Sequence, residues 1–161
     1  MRSGDWVIDA TAGNGHDTAF LAERVGERGR VWAFDVQKAA LESTARRLKE
    51  LSLEGRVNLV HAGHETMKEQ LAGSFRAVVF NLGYFPSGER ELITQTKTTL
   101  QALEAASTLL VSGGMICCVC YPGHQGGGEE AEAVLKWIQS RGGEVSERVG
   151  IRPFLATLTQ K

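Results

Sequence analysis

Hydrophobic and polar positions follow two patterns along the chain: short apolar runs, and longer segments with apolar residues three or four positions apart. Apolar runs bounded by glycine or polar turns predict strands, and the wider spacing predicts amphipathic helices. The predicted strands are residues 6–9, 31–35, 57–61, 75–81, 115–120, 145–149 and 154–159. The predicted helices are residues 14–25, 38–51, 91–110 and 129–141, with a brief amphipathic helix after residue 65.

The order of these elements predicts the fold class. Strand and helix alternate until the last helix, and two strands joined by a short turn at residues 150–153 finish the chain. Because each crossover helix returns the chain to the same end of the sheet, this order favours an α/β fold. We expect a doubly wound, mostly parallel sheet of about seven strands, with one antiparallel strand at or near the edge.

Length and composition indicate one soluble domain. The chain has 161 residues, of which 42% are hydrophobic, and this is enough for one substantial core. No apolar window approaches the ~18 residues of a membrane span, and no signal pattern opens the chain, so we expect a cytoplasmic protein. The formal net charge of −1 excludes a global basic field, so any nucleic-acid contact must be local.

The cysteines and histidines do not predict a metal site. Cys117, Cys118 and Cys120 lie on one predicted strand, a spacing that suits neither a disulfide framework nor a metal knuckle, so we interpret them as small apolar core residues. The histidines lack a recognisable zinc spacing. They stand at positions 16, 61, 64 and 124.

A glycine turn after the first strand is the strongest functional signal. Gly13 and Gly15 allow a sharp turn and the close approach of a ligand to the start of a helix, where N–H groups are unpaired. Asp35 ends the next strand about 20 residues later, where a ribose would lie. Thr18 replaces the third glycine of dinucleotide enzymes, and Asp9 would repel a pyrophosphate but suit an ammonium or sulfonium. The turn therefore favours S-adenosylmethionine over NAD, with a ligand-free turn as the alternative, and resembles the first motif of Rossmann-like class I methyltransferases.

Two polar loops follow later strands. Residues 81–86 combine amide, aromatic and proline side chains, and residues 121–130 combine an aromatic, a histidine, glycines and two acids. Carboxyl ends of parallel strands are where such sheets place chemistry. By contrast, we interpret the charged residues of helix 38–51, Arg47 among them, as a solvated face, with a nucleic-acid patch as the alternative.

Three motifs bring the resemblance closer than fold class. They are Asp9–Thr18 (DATAGNGHDT), Asn81–Tyr84 (NLGY), and Tyr121–His124 (YPGH) followed by Gly127 and Glu130. Together they resemble the bacterial family labelled "putative rRNA methylase" of the MnmM (YtqB) type, whose members methylate the wobble uridine of tRNA. The resemblance implies methyl transfer from S-adenosylmethionine to the exocyclic amine of 5-aminomethyl-2-thiouridine. It also implies one methyltransferase domain over residues 1–161, in which the helical segment that family members usually carry before the first motif is missing; whether the N-terminus is truncated stays open.

The resemblance assigns site residues by position. Those implied for the cofactor are Asp9, Thr11, Gly13, Asn14, Gly15, Asp17, Thr18, Asp35, His64, Glu65 and Asn81. Those implied for the substrate are Leu82, Gly83, Tyr84, Tyr121, Pro122, Gly123, His124 and Glu130. The candidate catalytic residues are Asn81, Tyr84 and His124.

Individual roles follow from side-chain chemistry. The amide oxygen of Asn81 can accept a hydrogen bond from an amine and orient its lone pair. Tyr84 can stack on a flipped-out pyrimidine, and its structural alternative is an aromatic plug beneath the loop. His124 or Glu130 can remove a proton, while desolvation by apolar neighbours such as Leu82 and Phe85 can keep an amine neutral without a base. For His64 and for His61, a purely structural role is an equal alternative.

The expected partner is the anticodon stem-loop of tRNA, and a homodimer stays an open option. Because a tRNA enzyme should contact several phosphates, the near-neutral charge makes a methyltransferase of a small-molecule or protein amine the main alternative. An rRNA methyltransferase and a non-enzymatic nucleotide-binding module also stay open. An NAD-dependent enzyme is a further alternative.

Overall fold

The strands and helices occupy the chain in the predicted order. The structure, a computed structural model, describes residues 1–83, 95–123, 126–146, 150 and 152–161. The strands are β1 (Trp6–Asp9), β2 (Arg30–Asp35), β3 (Val57–His61), β4 (Phe75–Leu82), β5 (Leu110–Cys120), β6 (Glu144–Val145) and β7 (Phe154–Thr159). The helices are α1 (His16–Val25), α2 (Lys38–Glu50), α3 (Met67–Gln70), α4 (Thr96–Leu109) and α5 (Gly127–Ser140).

The strands form one seven-stranded sheet in the order β3-β2-β1-β4-β5-β7-β6. All neighbouring pairs from β3 to β5 are parallel, and β7 is antiparallel to both β5 and β6. The predicted doubly wound sheet with one reversed strand near its edge is therefore confirmed. Successive strands are added on one side of β1 up to β3 and on its other side from β4 onward. The carboxyl ends of β1 and β4 therefore flank the crevice where such folds bind ligands.

Both faces of the sheet are covered by helices. One large buried cluster contains Phe34, Phe80 and Ile116 together with residues of α4 and α5. A second cluster contains Val7 and Val31 together with residues of α1 and α2. Complete burial of one such side chain stabilises the fold by roughly 1.5–3 kcal/mol. The sheet edge that carries the polar loops thus stands on a rigid support.

Several element boundaries differ from the sequence prediction, among them the starts of β5 and α5. β5 begins directly after α4, so Ser112–Gly114, expected to be a loop, lies inside the strand. The pairing with β4 is irregular there, because Phe75 pairs with Leu110 and the next pair is Ala77 with Met115. The glycines absorb this bulge, which apolar periodicity does not reveal. α5 also begins two residues earlier than predicted, since Gly126 in the left-handed region ends the preceding loop.

The cysteines behave as the apolar residues that were predicted. Cys118 and Cys120 are buried, Cys117 is half-buried, and none of the three forms a disulfide. Burial raises the pKa of the Cys118 thiol well above its usual value, so this thiol stays neutral. Among the helices of the described residues, none is long and apolar enough to cross a membrane.

Candidate functional site

The turn between β1 and α1 bridges the centre of the sheet. The Ala10 amide donates to the carbonyl of Val79 on β4 (2.8 Å), and the Ala12 amide donates to the carbonyl of Phe34 on β2 (2.8 Å). Gly13 and Gly15 both have left-handed backbone, with φ of 53° and 75°. The turn therefore lies over the carboxyl ends of three neighbouring strands.

Gly15 is required for two separate reasons. Its positive φ disfavours any side chain, and an added Cβ would lie 2.9 Å from the Cα of Thr44 on α2. Gly15 precedes the first residue of α1 and presents the start of that helix to the crevice. The N–H groups in the first turn of a helix have no intrahelical partners, and such groups can bind a ligand.

Asp9 anchors the turn from below. Its side chain is fully buried; Oδ1 accepts a bond from the Thr11 amide (3.1 Å) and Oδ2 accepts one from the Thr18 hydroxyl (2.5 Å). Burial raises the pKa of Asp9 to about 6, and the bonds from Thr18 and Thr11 oppose that rise. The described protein atoms cover this carboxylate, so the structure shows a support for the turn, and the predicted contact of Asp9 with a cofactor stays a prediction.

Asp35 lies beside the turn at the end of β2. Its Oδ2 accepts a bond from the Gly13 amide (2.9 Å) and its Oδ1 accepts one from the Gln37 amide (2.9 Å). The side chain is half-buried, and each carboxylate oxygen retains capacity for another donor. The pair of acids expected from the sequence is thus brought to one turn, with Asp9 beneath it and Asp35 next to it.

Asn81 stands across the crevice near the end of β4. Its backbone amide donates to the Thr11 hydroxyl (2.7 Å), and its side-chain Nδ2 donates to Oδ2 of Asp17 in the first turn of α1 (3.0 Å). The predicted cofactor turn and the predicted substrate strand are therefore joined by two hydrogen bonds. Leu82, the next residue, is 1% exposed and packs in the core, so its predicted role in substrate binding rests on its backbone and stays a prediction.

The two predicted substrate loops leave the sheet side by side. Leu82 on β4 pairs with Cys120 on β5, and a Cβ added to Gly83 would lie 3.5 Å from the ring of Tyr121. Pro122 and Gly123 continue from this point. Tyr84 and His124, as well as Phe85, lie outside the described residues.

His64 and Glu65 lie at the end of β3, on the other side of the turn. His64 is buried, its Nδ1 lies 3.2 Å from the carbonyl oxygen of Ala10, and its ring meets Phe80 edge to face. Burial lowers the pKa of His64, which keeps the ring neutral and lets Nδ1–H donate to Ala10. Glu65 is half-buried and folds over Gly63. The structure thus gives His64 a supporting contact under the turn, and cofactor contacts of both residues stay predictions.

Glu130 joins two helices beneath the loop after β5. It lies in the first turn of α5, is 2% exposed, and accepts a hydrogen bond from the Thr99 hydroxyl of α4 at 2.6 Å. This placement gives Glu130 a structural bond that the sequence does not predict. Its assignment to substrate binding stays a prediction.

Helix α2 contributes residues that the sequence analysis missed. The Arg47 Nε donates to the carbonyl of Asn14 (2.7 Å), the Thr44 hydroxyl donates to the carbonyl of Gly13 (3.1 Å), and the Ser43 hydroxyl donates to Oδ1 of Asn14 (3.2 Å). Arg47 is half-buried, so its interpretation as part of a solvated face is wrong. The missed signal is Thr44, a polar residue between Leu41 and Leu48 on the buried side of the helix.

Comparison with known proteins agrees with this geometry. Residues 31–148 match the model of the family described as "Putative rRNA methylase". The chain is 44% identical over 144 residues to the Arabidopsis thaliana protein named tRNA (mnm(5)s(2)U34)-methyltransferase, chloroplastic; the match covers 83% of this chain and 53% of that protein. The chain therefore spans about half the length of this curated relative.

Two solved structures resemble the whole chain. One is described as a "putative rRNA-methylase" from Clostridium thermocellum, with a TM-score of 0.95 and 41% identity; the match covers 100% of this chain and 91% of that chain. The other is described as "a putative methyltransferase" from Streptococcus mutans in complex with SAH, with a TM-score of 0.88 and 32% identity, and the same coverage of both chains. With its glycine turn, its acidic residues and the order of its strands, the chain belongs to the "Putative rRNA methylase" family.

Proposed function

We propose that this chain is an S-adenosylmethionine-dependent N-methyltransferase that acts on the exocyclic amine of 5-aminomethyl-2-thiouridine at the wobble position of tRNA. The observation that carries the proposal is the placement of Asn81, which is bonded to both Thr11 and Asp17 of the glycine-turn region. The name of the Arabidopsis relative supplies the substrate class.

The residues present fit S-adenosylmethionine. At Gly13 the nearest atom to an added Cβ would lie 3.9 Å away, which leaves room for a ligand to approach the backbone, and Asp35 beside the turn has oxygens with spare capacity for two ribose hydroxyls. The related Streptococcus mutans protein was solved with SAH, the product form of this cofactor. When bound, S-adenosylmethionine supplies a methyl group attached to a positively charged sulfur.

The chain's own residues prepare the nucleophile. Oδ1 of Asn81 accepts an N–H of the substrate amine and so restricts the direction of the nitrogen lone pair. The amine must be neutral to attack, and methylation leaves it with one proton to lose. Desolvation by apolar residues at the end of β4 would disfavour the ammonium form, and His124 or Glu130 is proposed to take the proton that methylation releases.

The proposed substrate is the anticodon stem-loop, approached at the edge that carries Gly83 and Tyr121. Aromatic stacking on an unpaired base is worth ~1–3 kcal/mol, and Tyr84 is the residue proposed for it. A homodimer, which would enlarge the surface for RNA, stays part of this proposal. The predicted cytoplasmic location likewise stays a prediction.

Mass spectrometry of wobble nucleosides tests the function directly. Purified protein is incubated with S-adenosylmethionine and tRNA that carries the unmethylated aminomethyl group, and digested nucleosides are compared with those from an Asn81→Ala reaction. We expect the 5-methylaminomethyl product with the parental protein alone. Methylation of rRNA in place of this tRNA, or no transfer to either, would overturn the proposed substrate.

The net charge of −1 favours one second candidate, a methyltransferase of a small-molecule or protein amine. A salt series separates the two, because binding of a stem-loop through several phosphates loses affinity steeply with salt. Affinity for the unmodified anticodon stem-loop that does not change with salt supports the second candidate. Titration with SAH and with NADH, in parallel, excludes or reveals a dinucleotide site.

A further inference from the structure

The side-chain amide of Asn81 has two chemically different ends, and only one of them can accept a hydrogen bond from an amine. The Nδ2 end donates and the Oδ1 end accepts. A half-turn about the Cβ–Cγ bond exchanges Nδ2 and Oδ1 with little change in the shape of the side chain. An Asn81 without a fixed orientation would therefore present either a donor or an acceptor to the crevice.

Asp17 removes this ambiguity. Its Oδ2 lies 3.0 Å from Nδ2 of Asn81. A carboxylate oxygen only accepts, so the reversed amide would place two acceptors at this distance and replace attraction by repulsion. The amide must turn Nδ2 toward Asp17, and Oδ1 must then face away from it.

The backbone of both partners is also held. The backbone N–H of Asn81 donates to the Thr11 hydroxyl, and the backbone N–H of Thr11 donates to the carboxylate of the buried Asp9. Asp17 lies in the first turn of α1, where the helix N-terminus favours a negative side chain. Asp17 and Asn81 therefore meet between two rigid elements, and neither needs to move for the contact to persist.

We infer that Asp17 is a positioning residue for methyl transfer: it fixes the Asn81 amide so that Oδ1 is the acceptor offered to the substrate amine. This inference rests on the proposed function, because it assigns to Asp17 the orientation of the group proposed to hold the amine. It differs from the role that the sequence motif implies for Asp17, which is cofactor binding.

A double-mutant cycle with Asn81 separates these roles. Asp17→Ala removes the acceptor, and a bond to a charged partner is strong enough that its loss should lower the single-turnover rate roughly tenfold or more. The affinity for SAH, measured by calorimetry, should change by less than about twofold because the cofactor keeps its contacts. In an Asn81→Ala background, Asp17→Ala should have no further effect, since no amide remains to orient.

Three further variants sharpen the cycle. Asp17→Glu keeps a carboxylate and should recover part of the rate, whereas Asp17→Asn, which can accept or donate, should not. Glu23→Gln removes an exposed acid from the same helix and should match the parent. In proton–nitrogen spectra, the Asn81 side-chain NH₂ signal, identified by its loss in Asn81→Ala, should shift in Asp17→Asn. This spectroscopic readout does not depend on turnover.

The outcomes distinguish the inference from the function beneath it. If Asn81→Ala turns over at the parental rate, the proposed acceptor role of Asn81 fails. If Asn81→Ala is impaired but Asp17→Ala is not, only the positioning role of Asp17 fails. Additive losses in the double variant, or a fall in SAH affinity equal to the fall in rate, would overturn the inference in favour of an independent cofactor contact.

Discussion

Asp9 offers a test of the structure that does not need substrate. Its carboxyl group is fully buried, and burial raises its pKa from 3.8 to about 6. The folded protein therefore binds this proton more tightly than the unfolded chain. The stabilising contribution of the proton is complete below pH 3.8 and is lost as the pH rises through about 6.

The size of the effect follows from the shift. Each pKa unit corresponds to 1.36 kcal/mol, so a rise from 3.8 to about 6 changes the free energy of unfolding by about 3 kcal/mol across this window. In Asp9→Asn, the new side-chain oxygen can accept the Thr11 amide and the new NH₂ group can donate to the Thr18 hydroxyl oxygen. The asparagine side chain does not titrate. The difference between the parent and Asp9→Asn isolates the one group, because all other titrations are shared.

Urea unfolding at intervals from pH 4 to pH 8 measures this difference. Over this range we expect the parent to lose most of that roughly 3 kcal/mol relative to Asp9→Asn, with half of the full change reached near pH 5, midway between 3.8 and about 6. Glu23→Gln, at an exposed position on α1, should show no such trend. A pH-independent difference between the parent and Asp9→Asn would refute the reasoning, because it would mean that the Asp9 carboxylate is solvated in the folded protein.

Three other substitutions test the site. Asp35→Ala should weaken SAH binding at least tenfold in calorimetry, since charge-assisted bonds to ribose hydroxyls are worth ~1.5–3 kcal/mol each. Unchanged affinity in the folded variant would show that the cofactor's ribose does not bind Asp35. Gly15→Ala should cost about 2 kcal/mol or more of unfolding free energy, because it combines a φ of 75° with a Cβ 2.9 Å from the α2 backbone. Gly142→Ala, at the same φ but with no atom within 4 Å of its Cβ, measures the backbone penalty alone, and equal losses would contradict the packing. Asn81→Asp should shift the pH profile of methylation upward, because the new carboxylate stabilises the ammonium form of the substrate and lies against Asp17; an unchanged profile would show that the amine does not meet this side chain.

The sequence predicts the fold well because the signals are local. Apolar runs and apolar spacings of three to four residues locate the strands and helices, and the order of these elements predicts a doubly wound sheet. Residues 112–114 are the exception. The strand passes through Gly113 and Gly114 where its register with β4 is irregular, and the backbone bonds between these glycines and Gln160 show that they belong to a strand.

The sequence predicts which residues form the candidate site better than it predicts the hydrogen bonds between them. Asp9, Gly13 and Asp35 fall at one turn as expected, since they follow adjacent strands of a parallel sheet. The contact of Arg47 with the Asn14 carbonyl joins residues 33 positions apart, and the bond from Asn81 to Asp17 joins residues 64 apart. Spacing along one chain does not encode such contacts, because they depend on how α2 and β4 pack against the turn.

The most direct test of the central claim is the single-turnover rate of Asn81→Ala with tRNA that carries the aminomethyl group. Because a misoriented amine forfeits much of the advantage of proximity, we expect a rate lower by roughly a hundredfold or more, with only a slight change in affinity for S-adenosylmethionine. Turnover at the parental rate would contradict the claim, and the residues that hold the reacting amine would then have to be sought around Tyr121 and His124.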